Sequence, residues 1–179
     1  MNNVAPLSLW TMRAVFVALA LVILLGNLLP LQTLTRGWAG PDLLFGFALA
    51  WSVRRPEYVP VPLLAAVFFL ADLLLSRPPG LGAALMLMAC FDLQTRMLRL
   101  RDAGFAAEWG RAAVLIIATA VANRVALAIF FVPAPSLILA TFQTIATAAV
   151  YPLIVGVSAL VFGVRLSAPG DIDKLGHRL

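Results

Sequence analysis

Apolar positions in this chain come in long runs rather than in the narrow stripe of a soluble amphipathic helix. The first run, Ala14 to about Leu34, lies between Arg13 and Arg36. It begins like a signal peptide, but further runs follow and no convincing small-residue cleavage site closes it, so it reads as a retained signal anchor. The second, Pro41 to Val53, opens on a proline that suits a first helical position, with Asp42 beside it at the positive end of the helix dipole. A third runs from about Val59 to Leu75, a fourth from Leu81 to about Gln94, a fifth from Ala112 to Val132 and a sixth from Ser136 to about Val164. Breaker clusters part them: Arg54-Arg55-Pro56, Arg77-Pro78-Pro79-Gly80 and Pro133-Ala134-Pro135. A span needs about 20 apolar residues, so runs two and four require tilt, bilayer thinning or partial burial.

Composition turns these runs into a fold class. Of 179 residues, 63% are hydrophobic and 12% charged, and the mean hydropathy is +1.00. Six spans would use roughly 120 residues and leave about eight or nine for each terminus and loop. No room remains for a folded domain outside the membrane, which excludes a soluble enzyme, a nucleic-acid-binding module and a secreted disulfide scaffold. The expectation is an all-α, polytopic integral membrane bundle of six transmembrane helices in one domain, with a short polar tail over 165–179.

The net charge of +5 fits a membrane surface, since basic residues gather on the cytoplasmic side of spans. With six spans, ten basic residues share one side: Arg13, Arg54, Arg55, Arg96, Arg99, Arg101, Arg111, Arg165, Lys174 and Arg178. The other side holds Arg36 and Arg77, and Arg124 lies within a span. That bias predicts both termini in the cytoplasm. Trp10, Trp51 and Trp109 fall at predicted inner span ends and Trp38 at an outer end, as headgroup-level rings should.

A few polar residues interrupt the runs. Asp72 sits near the outer end of span three and Arg124 deeper in span five, after Asn123. A buried guanidinium seeks a carboxylate, and Asp72 and Asp42 are the two available in the outer half, so an Asp72–Arg124 pair is expected. The alternatives are an interfacial Asp72 reached by water or by Arg77, and an Arg124 that snorkels outward alone. Asp92 and Arg96 share a helical face at i,i+4 spacing and should pair locally. Thr141, Gln143, Thr144 and Thr147 suit hydrogen bonds to a neighbouring helix. The stretch Thr95–Gly110 is predicted to be the largest cytoplasmic loop, either holding orientation through its arginines or lying on anionic lipid. One histidine and one cysteine, His177 and Cys90, make no nucleophile pair and no zinc site. No catalytic residue, metal or cofactor is therefore expected.

The stretch LLFGFALAWSVRRPEYVPVPLLAAVFFLADLLLSRPPGLGAALMLMA resembles the rod shape-determining protein MreD family. The resemblance lies in Trp51, Arg54, Arg55 and Pro56, then an apolar span with Asp72 near its end, then Pro79, Gly80, Leu81 and Gly82. It covers roughly residues 41–90. It implies a non-catalytic bacterial inner-membrane scaffold of the cell-elongation machinery that binds an MreC-like single-span protein. RodA-type glycosyltransferase, a penicillin-binding transpeptidase and MreB filaments would be further partners, besides membrane lipids. Six short-looped spans are also similar to the substrate-binding subunit of an energy-coupling-factor transporter. In that reading the small residues Ala118, Ala120, Ala122, Ala126 and Ala128 of span five would dock on a coupling subunit.

Overall fold

The computed structural model describes the backbone of residues 6–29 and 40–164, and side chains over 8–29, 40–96 and 104–164. Arg36, Trp38 and the polar tail lie outside the described residues, as do the side chains of Arg99 and Arg101. The described chain is all-helical: α1 (Pro6–Leu28), α2 (Leu43–Arg54), a 3-10 turn (Pro56–Tyr58), α3 (Val61–Leu74), α4 (Leu81–Ala103), α5 (Phe105–Ile129) and α6 (Leu137–Val161). Three stretches are long and apolar enough to cross a membrane: Ser8–Leu28, Phe105–Ile129 and Leu137–Val161.

Helix α2 is the centre of the bundle. It is 12 residues long, a rise of about 18 Å, and every residue from Leu44 to Arg54 is buried. It packs against α6, α4, the 3-10 turn and α1. At one end Asp42 caps it, accepting from the amide of Phe45 at 3.1 Å. The amide of Asp42 in turn donates to Thr147 Oγ1 at 2.9 Å. One turn further along, Gly46 lets the side chain of Ile154 on α6 lie directly against the α2 backbone. At the other end Trp51 is fully buried, with Phe16, Tyr58 and Phe162 around it at centroid distances of 5.4, 6.3 and 5.7 Å. Its indole N–H donates to Ser158 Oγ at 3.2 Å. Trp51 is thus a core residue and not the headgroup-level anchor expected of it. A helix enclosed on all sides carries its end residues inward with it.

Two boundaries move. The expected loop Thr95–Gly110 is helical on both sides of Gly104, whose φ of 81° gives the backbone its break. Helix α1 begins at Pro6, before Arg13. On the outside of α5, Val114, Ile117, Val121 and Val125 form an exposed apolar stripe at helical spacing, which is the surface a hydrocarbon solvent favours.

Helix α6 contains Pro152. Proline has no amide hydrogen, so the carbonyl of Ala148 loses its i+4 donor. The indole N–H of Trp109 takes that place, donating to Ala148 O at 2.9 Å. Of the other polar residues on α6, Thr141 and Thr144 bond back to carbonyls four residues earlier. Only Thr147 of these three threonines is seen to reach another element.

Candidate functional site

Polar side chains concentrate at the two ends of α2. At the Asp42 end, Asp72 is buried, yet it pairs with no cation among the described residues. Its Oδ2 accepts from the amides of Gly80 at 3.1 Å and Ala83 at 2.9 Å. Those are the N-cap and N3 amides of α4, the two donors that a capping box satisfies with two side chains. Here one carboxylate from the preceding helix serves both, and its charge meets the positive end of the α4 dipole. The glycines follow from this. Gly80 adopts φ 87°, which disfavours any residue with a Cβ. At Gly82 a Cβ would lie 2.6 Å from Asp72 Oδ1, too close for an oxygen already fixed by two bonds to its carboxylate.

Arg124 is not brought to Asp72. It donates through Nη1 to the carbonyl of Pro135 at 2.9 Å, within the α5–α6 connection. The expected Asp72–Arg124 pair is therefore wrong: backbone amides eight and eleven residues along the chain satisfy the carboxylate first. Asp42 instead lies 3.8 Å from Arg77, a half-exposed pair worth little.

At the Arg54 end two opposite charges are enclosed together. Arg54 donates through Nη2 to Glu108 Oε2 at 3.0 Å, and Tyr151 Oη donates to Glu108 Oε1 at 3.0 Å. Side-chain exposure is 8% for Arg54 and 1% for Glu108, so this is a buried ion pair that joins α2, α5 and α6. Arg54 Nε is buried without an acceptor among the described residues. Beside it, Gln94 Nε2 donates to Val59 O at 2.9 Å and to Ser52 Oγ at 3.4 Å. Nearer the surface, Asp92 collects two arginines. Arg96 Nε approaches at 2.9 Å, and Arg111 donates through Nε at 3.1 Å and Nη2 at 2.6 Å. The expected Asp92–Arg96 pair is present, and Arg111 extends it from α4 to α5. Arg55 pairs with Glu57 at 3.3 Å, across Pro56, which starts the 3-10 turn.

Among the described residues no three His, Cys, Asp or Glu side chains converge to hold a metal ion. Both oxygens of Glu108 are occupied, so its chemistry is that of a latch between helices.

Neither family models, curated proteins nor solved structures match this chain. What its polar residues do is therefore read from its own geometry. Asp72, Gly80 and Gly82 meet at one point, and Trp51 and Arg54 share the buried end of α2. Arg124 stands apart from both groups. Glu108, Tyr151, Ser158, Ser52 and Gln94 were missed in the sequence. One signal was present: Glu108, Ala112 and Ile116 are spaced i, i+4, i+8 and are all buried. Assigning Glu108 to a loop hid that face.

The cap makes a sign prediction. Asp72→Ala should cost about 1–2 kcal/mol through loss of the cap, and Gly82→Ala a similar amount by displacing the carboxylate. In the Asp72→Ala background Gly82→Ala should turn neutral or stabilising, since alanine exceeds glycine by about 1 kcal/mol inside a helix. Thermal unfolding of the four proteins in detergent checks this; additive losses would refute the shared cap.

Proposed function

We propose that the chain is a six-span, non-catalytic scaffold of a bacterial inner membrane, of the MreD type, with both termini in the cytoplasm. In this reading it binds a single-span MreC-like partner and helps couple MreB filaments to peptidoglycan synthesis by a RodA-type glycosyltransferase and a penicillin-binding transpeptidase. The observation that carries it is the use made of the motif residues. Asp72, Gly80 and Gly82 build an internal joint, and Trp51 and Arg54 lock the central helix. The residues behind the resemblance are thus architectural, which suits a scaffold. Left for partners are apolar helix faces, the surfaces through which membrane helices associate. Arg13, Arg55, Arg96 and Arg111 also gather at the Arg54 end of the bundle, the end that the basic-residue bias assigns to the cytoplasm.

Quantitative mass spectrometry of what co-purifies with the native protein in mild detergent tests the proposal. A single-span MreC-like protein at near-equal amount, with peptidoglycan synthases behind it, is the expected result. Recovery of paired ATPases with a long coupling subunit and a bound small molecule would replace the scaffold by a vitamin- or metal-capture protein.

A further inference from the structure

A groove of about 850 Å³ runs between α1 and α3, within the ~300–1,000 Å³ usual for ligand sites. Its walls are almost wholly apolar, with Val17 and Leu21 on one side, Leu63 and Ala66 on the other and Ala18 as a small residue that leaves room. Arg13 stands in the same groove. Its Nε is tethered to the carbonyl of Glu57 at 3.2 Å, and its guanidinium carbon lies 5.1 Å from the centre of the Trp10 ring, a cation–π distance. Arg13 forms no ion pair among the described residues; it meets Glu57 at the backbone carbonyl, while the Glu57 carboxylate pairs with Arg55 at 3.3 Å. Two Nη groups are therefore held in place at the mouth of an apolar channel with no anion supplied by the described chain.

The dimensions fit one occupant. From Trp10 to Leu21 the α1 wall rises about 16 Å at 1.5 Å per residue, which is about half of a ~30 Å hydrocarbon layer. One end carries an arginine and an exposed tryptophan, the pair of side chains that sits at headgroup level. The rest is hydrocarbon in character for the depth of one leaflet.

From this arrangement we infer that the α1–α3 groove binds one anionic phospholipid, with Arg13 on its phosphate, Trp10 at its headgroup level and an acyl chain along Ala18 toward Leu21. The site requires only that α1 lie in a bilayer and does not depend on the scaffold role.

Native mass spectrometry of the full-length protein, titrated in detergent with phosphatidylglycerol or phosphatidylcholine, tests it. Wild type should retain one phosphatidylglycerol in preference to phosphatidylcholine. Arg13→Gln, which removes the charge, and Ala18→Phe, which fills the channel, should each weaken that retention at least tenfold while helical content stays the same. Arg77→Gln, which removes a charge at the Asp42 end of the bundle, should leave it unchanged. Equal retention of the two lipids, an equal loss in Arg77→Gln, or unaltered binding in both groove variants would overturn the site. So would recovery of a polypeptide in the groove's place, seen as loss of that protein mass in Ala18→Phe with lipid binding untouched.

Discussion

Glu108→Leu is expected to destabilise the bundle by about 3–5 kcal/mol, the cost of leaving a buried charge without its partner. Arg54 has nowhere to go: its side chain is 8% exposed, and among the described residues its Nε lacks an acceptor and Glu108 alone neutralises it at hydrogen-bond distance. The substitution also strips Tyr151 Oη of its acceptor. On thermal unfolding in detergent the midpoint should fall by on the order of 10 °C. Arg54→Met alone should be costly for the mirror reason, since it strands the carboxylate. The double variant, with both charges replaced by apolar side chains, should be closer to wild type than either single variant, because the desolvation of two ions disappears with their attraction. Single losses that simply sum in the double variant would mean that the two groups are not coupled.

Trp51→Ala should be of similar size, about 3–5 kcal/mol for removing a large aromatic from a closed core. The indole is fully buried and three rings lean on it. Trp51→Phe separates packing from polarity. It keeps much of the apolar volume but leaves Ser158 Oγ without the indole donor, a loss of about 1–3 kcal/mol. Unfolding midpoints should therefore fall in the order wild type, Trp51→Phe, Trp51→Ala. A Trp51→Phe protein as stable as wild type would show that the Trp51–Ser158 bond contributes nothing, and one as unstable as Trp51→Ala would show that the retained ring contributes nothing and the bond carries the loss.

The order and approximate limits of the helices were legible because breakers are local. Arg54-Arg55-Pro56 and the Pro-Pro-Gly cluster stop and start helices by sterics and missing amides that need no tertiary context, and α2, α3 and α4 begin within about two residues of the expected positions. The helical course of Thr95–Gly110 was less legible. Its charges suggested a loop, although of its two glycines, Gly104 and Gly110, only Gly104 interrupts the helix, and a helix tolerates arginines on its surface. Pairing was the least legible. Depth along a span brought Asp72 and Arg124 to one half of the bundle, but it could not weigh a distant guanidinium against the adjacent free amides of the next helix. The Gly-Leu-Gly sequence was the available hint, since glycine at both positions allows a carboxylate to sit against the α4 N-terminus. For Trp51, the rule for aromatic rings at the interface applies to helices that face lipid, and α2 does not.

Pro152 and Trp109 also constrain how this sequence can change over generations. The indole completes a carbonyl that the proline leaves open, so the two positions, 43 apart in the chain, are not independent under mutation. If position 152 first regains a residue with an amide hydrogen, the helix closes its own ladder and position 109 becomes free to drift. If the tryptophan goes first, the lineage passes through an intermediate with an unanswered carbonyl. The permissive order is 152 before 109.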